Sequence, residues 1–182
     1  MQLFDEEAEQ VVLGSILQSP SIFEEVAQLI KPEDFYYEPH RLVYEAIQGE
    51  IDRGEQPNAI LIINALKNKN QLERAGNRAS IMNIASLGVL VGVSTFTEKI
   101  RDLALRRRLI INFRELEKKA GDTGFKLDSV LSDTEGALTH LADRYSRGNI
   151  SHIKESNKEF LEFLKHVRES RDKADSRMLK LW

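Results

Sequence analysis

The stretch Thr95–Ala120, TFTEKIRDLALRRRLIINFRELEKKA, decides the fold. Thr95 and Glu98 have the spacing of a capping box, in which hydroxyl and carboxylate satisfy each other's backbone N–H groups. From there a helical pattern runs for about seven turns with no Gly or Pro to break it. Leu109, Ile110, Ile111 and Phe113 make that helix apolar almost all round, so it asks for a neighbour on more than one side. Gly121-Asp122-Thr123-Gly124 predicts a turn with two residues able to take positive φ. A second long helix is predicted from Asp128 to Arg147. Its stripe is Leu127, Leu131, Thr134, Leu138, Leu141 and Tyr145, at spacings of three and four. Two long helices joined by a short Gly turn imply an antiparallel αα-hairpin. Such a hairpin carries more apolar surface than one small head can cover.

Upstream, the pattern gives five short helices. The first runs from Asp5, a plausible N-cap, to Gln18, with Ala8, Val11, Val12 and Ile16 at helical spacing. Ser19-Pro20 reads as a cap followed by Pro at the first helical position, opening a second helix with Ile22, Phe23, Val26, Leu29 and Ile30. Pro32–Tyr36 predicts a tight turn that drops an aromatic into the core. A third helix, Pro39 to Arg53, buries Leu42, Val43, Ile47 and Ile51 and stops at Gly54. A fourth starts near Asn58 and presents Ile60, Leu61, Ile63, Ala65 and Leu66. After a turn at Gly76-Asn77, a fifth carries Ile81, Met82, Ile84 and Ala85. Isolated helices below ~12–15 residues are marginal in water, so these five must share one core.

Downstream of Gly148-Asn149, a last amphipathic helix is predicted from His152 to Arg171. Ile153, Phe160, Phe163, Leu164 and Val167 face one way, and the charged tail ends at Leu181-Trp182. That stripe expects either a docking partner or its own head. The predicted organisation is all-α, with a helical head over 1–93, the hairpin over 94–148, and a linker helix and tail over 149–182.

Composition agrees. The chain has 182 residues, ten Gly, four Pro and no Cys, which excludes disulfides, Cys-ligated metal and a thiol nucleophile. The longest apolar stretch, Gly88 to Val93, falls far short of the ~18–20 residues of a membrane span. A soluble, intracellular, helical protein is expected. The net charge of −3 conceals an asymmetry: residues 1–60 sum to −10 and residues 61–120 to +7. Such a dipole orients subunits or attracts a charged partner, or it belongs to solvated helix faces.

The search for chemistry is mostly negative. No Gly precedes a Lys, so no phosphate-binding loop exists in the chain. There is no G-x-G-x-x-G and no G-x-S-x-G. The four histidines lack i, i+4 partners, and His40, beside Arg41 at a helix start, is expected to pack or cap. Neither catalytic, cofactor-binding nor metal-ligating residues are assigned. Arg106-Arg107-Arg108 is the strongest basic cluster. It serves either nucleic acid, by displacing counterions, or pairing with acids on the head or on a neighbouring chain.

Several motifs together resemble a known family. Glu9-Gln10-x-Val12-Leu13-Gly14-x-Ile16-Leu17, Lys31-Pro32-Glu33-Asp34-Phe35-Tyr36 and His40-Arg41-x-Val43-Tyr44-x-Ala46-Ile47 resemble the opening of DnaB-type bacterial replicative DNA helicases. Gln71-Leu72-Glu73-x-x-Gly76 and Lys99-Ile100-Arg101-x-x-x-Leu105-Arg106-Arg107 follow in the same order. The resemblance covers residues 1–110, fades through the hairpin and resumes at Ile150–Glu155. Asn58 stands where the family usually has Asp, and Asn77 where it usually has a second Gly.

The resemblance implies an N-terminal domain and linker helix without the ATPase motor. ATP and Mg2+ would belong to the full-length protein, with no cofactor in this chain. It also implies a hexameric collar built as a trimer of dimers, a DnaG-type primase and a loader as partners, and only weak or indirect contact with DNA. Arg106, Arg107, Leu109, Phe113, Leu116, Leu131, Leu138 and Tyr145 are the expected assembly or primase surface. Ile153, Phe160, Phe163, Leu164 and Val167 are the expected linker docking stripe. The compartment would be bacterial cytoplasm or plastid stroma. The rival readings are the helicase-binding domain of a primase and a helical DNA-binding protein.

Overall fold

The computed structural model describes residues 2–146. Those residues form seven α-helices: α1 Glu6–Gln18, α2 Phe23–Leu29, α3 Glu38–Ile51, α4 Ala59–Asn68, α5 Asn77–Ser86, α6 Val93–Gly121 and α7 Leu127–Ser146. Short 3-10 turns at Pro20–Ile22 and Pro32–Asp34 precede α2 and α3. The chain divides into two compact units, Met1–Asp122 and a second that begins at Thr123. The predicted helix from His152 to Arg171 lies outside the described residues.

α1 is the centre of the first unit. Asp5 caps it by accepting a 2.9 Å hydrogen bond from the Ala8 N–H, and Lys99 of α6 pairs with the same carboxylate. Val12, Leu13 and Ile16 are fully buried, and α3, α5 and α6 pack around them. Phe35 enters the core from the turn after Pro32, as its sequence predicts, and its ring lies 5.0 Å from that of Tyr44. α1 and the chain just after α5 approach so closely that Gly14 and Gly88 leave no room for a Cβ. Beside this crossing, the Ser15 hydroxyl accepts from the Val89 N–H at 2.9 Å and donates to Val11 O at 2.7 Å.

Five details differ from the sequence reading. Ser19 makes no side-chain cap, and the chain enters α2 through a 3-10 turn instead. Ile60 is exposed while Ile62 and Ile63 are buried; in an all-apolar run the docking of α4 chooses the face. Met82 points outward, since α5 buries Ile81 and Ile84. α6 starts at Val93, before the Thr95–Glu98 pair, because Gly92 at φ +80° turns the chain directly into the helix. The positive-φ glycines among the described residues are Gly54, Gly76 and Gly92, so neither Gly121 nor Gly124 uses that freedom.

The two family departures are accommodated locally. Asn58 caps α4 by accepting from the Ile60 and Leu61 N–H groups at 3.1 Å. Asn77 sits at φ +71° and accepts from the Ala79 and Ser80 N–H groups. Asn is among the few side chains that visit this region. Asn77→Ala, losing both tolerance and cap, should cost about 1–2 kcal/mol, read as a lower urea midpoint at unchanged slope. Asn77→Gly should cost less.

Candidate assembly surface

A polar network anchors α6 to the head. Glu9 is buried in α1, and its carboxylate accepts from the Tyr36 N–H at 2.6 Å and the Tyr37 N–H at 3.4 Å. It also lies 2.7 Å from Nδ1 of buried His40, at the start of α3. His40 therefore packs, as expected, but with a carboxylate partner that the sequence reading overlooked. Arg107 donates to Leu3 O at 2.7 Å and to Asp34 O, and its guanidinium lies 5.5 Å from the Tyr36 ring centroid. Burial lowers the proton affinity of Arg107, and the nearby carboxylates of Glu9 and Asp34 oppose that. Arg108 reaches Asp34 Oδ1 at 2.8 Å and Glu33 at 3.7 Å, while Arg106 pairs with Asp102 one turn back at 2.7 Å.

These contacts resolve the charge asymmetry. The basic stretch meets the acidic one within the chain: Lys99 with Asp5, Arg74 with Glu38, Arg108 with Asp34. The triple arginine is thereby a set of ion pairs and carbonyl contacts, which favours the pairing reading over an open nucleic-acid patch. Arg108 was noted within the triple arginine, but no structural partner was assigned to Glu9 or Asp34 from sequence, although Glu9 and His40 each head an apolar stripe of their helix.

Beyond the anchor, α6 changes character. Its buried residues are Thr97, Ile100, Ala104 and Leu105; from Arg106 to Gly121 none is buried. Ile111 and Phe113 are each 53% exposed and Ile110 is 37% exposed, while Leu109 and Leu116 are half-buried. Three large apolar side chains within four positions expose apolar surface on more than one side of the helix, which water covers poorly. In the second unit, α7 buries Val130 and Leu141, half-buries Leu138, and leaves Leu127 and Leu131 exposed. The Tyr145 side chain, and all of Ile153, Phe160, Phe163, Leu164 and Val167, lie outside the described residues.

Among the described residues no three His, Asp or Glu side chains converge as metal ligands, and no helix is long and apolar enough to cross a membrane. No glycine precedes a lysine, so the glycine-rich phosphate loop that would cradle a nucleotide is not among its motifs.

Comparison with known proteins bears on the family and the fold. The family model described as DnaB-like helicase N terminal domain matches residues 1–102. The replicative DNA helicase DnaC of Bacillus subtilis is 27% identical over 150 residues, covering 82% of this chain and 33% of that protein. The chain thus spans about a third of that relative's length. The fold matches the N-terminal domain of DnaB helicase from Mycobacterium tuberculosis with a TM-score of 0.71 at 24% identity, covering 78% of this chain and 99% of that one. It also matches the N-terminal domain of DnaB helicase from Helicobacter pylori, a structure described with its interactions with primase, at a TM-score of 0.57 and 20% identity over 64% of this chain and 91% of that one. The chain belongs to the DnaB-like helicase N-terminal domain family.

Proposed function

We propose that this chain is the non-catalytic N-terminal collar domain of a hexameric replicative DNA helicase. In this reading it joins subunits into a ring and docks a primase or a loader during DNA replication at the bacterial nucleoid. ATP hydrolysis, Mg2+ binding and strand translocation belong to the rest of the full-length protein. The observation that carries the reading is the exposed run Ile110, Ile111 and Phe113 on a helix whose preceding turns are anchored to the head. Such a run costs solubility unless another chain covers it. The family match over residues 1–102 disfavours the rival reading as the helicase-binding domain of a primase.

Light scattering of the purified chain tests this. At roughly tens of micromolar, self-association is expected, and Phe113→Asp should weaken it at least about tenfold, as the loss of a buried aromatic anchor does. The same change at exposed Lys118 should have little effect. A monomer at that concentration, or an equal response of the two variants, would sink the proposal.

A further inference from the structure

A cavity of about 210 Å³ opens between α1, the start of α3 and α5. Its polar lining is Glu6, Gln10, Tyr37, His40, Ser80 and Asn83. Glu6 is its one carboxylate among the lining residues, and Gln10 donates to it at 3.4 Å. Tyr37 neighbours Glu6 as well; partial burial, with Glu6 and Glu9 as negative neighbours, raises the proton affinity of its hydroxyl. Arg74, next to the lining residue Ala75, is already paired with Glu38. The negative charge at the rim is therefore held in place by two neighbours.

His40 supplies the second half of the site. Its side chain is only 6% exposed, and Nδ1 faces the Glu9 carboxylate at 2.7 Å. Where Nδ1 donates to that carboxylate and the ring is neutral, Nε2 is an acceptor. The hydrogen bond between His40 and Glu9 runs through Nδ1, not Nε2. Glu6, Nε2 of His40 and the amide oxygens of Gln10 and Asn83 then make an acceptor-rich pocket beside an aromatic ring. A planar cation with several diverging N–H donors matches that set better than a compact ammonium does. We propose that this cavity binds the guanidinium of an arginine side chain carried by a partner polypeptide. The site lies on the head, away from the apolar run of α6, and stands independently of the collar reading.

The test uses the full chain, with the His40 ring nitrogens followed by NMR. The probes are N-acetyl-arginine amide and its neutral near-isostere, N-acetyl-citrulline amide. The arginine probe is expected to shift Nε2 saturably with a Kd on the order of millimolar, as suits one anchor residue. The citrulline probe, and the arginine probe on Glu6→Gln, should bind at least roughly fivefold more weakly, the scale of one partly exposed ion pair. Glu7→Gln, which removes an adjacent carboxylate outside the cavity, should leave binding unchanged. No saturable shift at His40, equal binding of the two probes, or equal effects of the Glu6 and Glu7 changes would each overturn the assignment.

Discussion

Replacing Gly14 by alanine is expected to lower the thermal midpoint of the chain by roughly 6–12 °C, from a loss of about 3 kcal/mol. A Cβ at this position would stand 2.2 Å from Ile84 O and 2.7 Å from Gly88 N. Both are backbone atoms, so no rotamer change relieves the overlap, and α1 must separate from the end of α5. The intrinsic preference runs the other way, because alanine favours a helix interior over glycine by about 0.8–1 kcal/mol. Gly49, in α3, meets nothing within 4 Å of its added Cβ. Gly49→Ala should therefore stabilise by up to about 1 kcal/mol. Opposite signs from one chemical change, in calorimetry of the two variants, would locate the constraint in the crossing. A Gly14→Ala protein that melts with or above the wild type would refute it.

Glu9→Ala is expected to cost about 3–5 kcal/mol, the summed penalty of leaving several buried donors without their acceptor. The carboxylate serves two backbone N–H groups and the His40 ring at once, and its loss leaves these donors without an acceptor in a dry site. Total stability of a domain is only about 5–15 kcal/mol, so the variant should be partly unfolded at moderate temperature. A cycle with His40→Phe separates pairing from cavity formation. Glu9→Leu with His40→Phe should be less destabilised than the two single costs combined, by about 1–3 kcal/mol. Simple additivity in urea titrations would show that the two residues are energetically independent.

Most of the fold was legible because local chemistry and packing agree. Asp5 caps α1, the Pro32 turn delivers Phe35, and α6 and α7 have close to their predicted lengths. The misreadings share a cause. Thr95 and Glu98 have capping spacing, yet Val93 packs against the core and so must already be helical, a tertiary demand that overrides the local motif. Ile60 through Ile63 offer no polar mark of orientation, so the sequence leaves their facing open. The assembly surface was half legible: the apolar run at 109–113 was evident in the sequence, but Arg107 turned out to be spent inside its own chain. Glu9 entered the sequence reading only as part of a family motif, with no structural role. The missed signal was that Glu9 with Val12 and Ile16, and His40 with Val43 and Ile47, place opposite-acting polar groups at the heads of two core stripes.

The point at which α6 leaves the head has a mechanical meaning. Burial stops at Leu105, and the next turn is clasped by Arg107 and Arg108 to backbone and carboxylate of the Pro32–Asp34 turn. The helix then continues to Gly121, about 24 Å at 1.5 Å per residue. A continuous α-helix of that length transmits rotation rather than absorbing it. A tilt of about 5° at the clasp becomes roughly 2 Å at the far end. The arginines thus sit at a fulcrum, and a small strain in the turn beneath them passes along the apolar run and is delivered, magnified, to the charged far end of the helix.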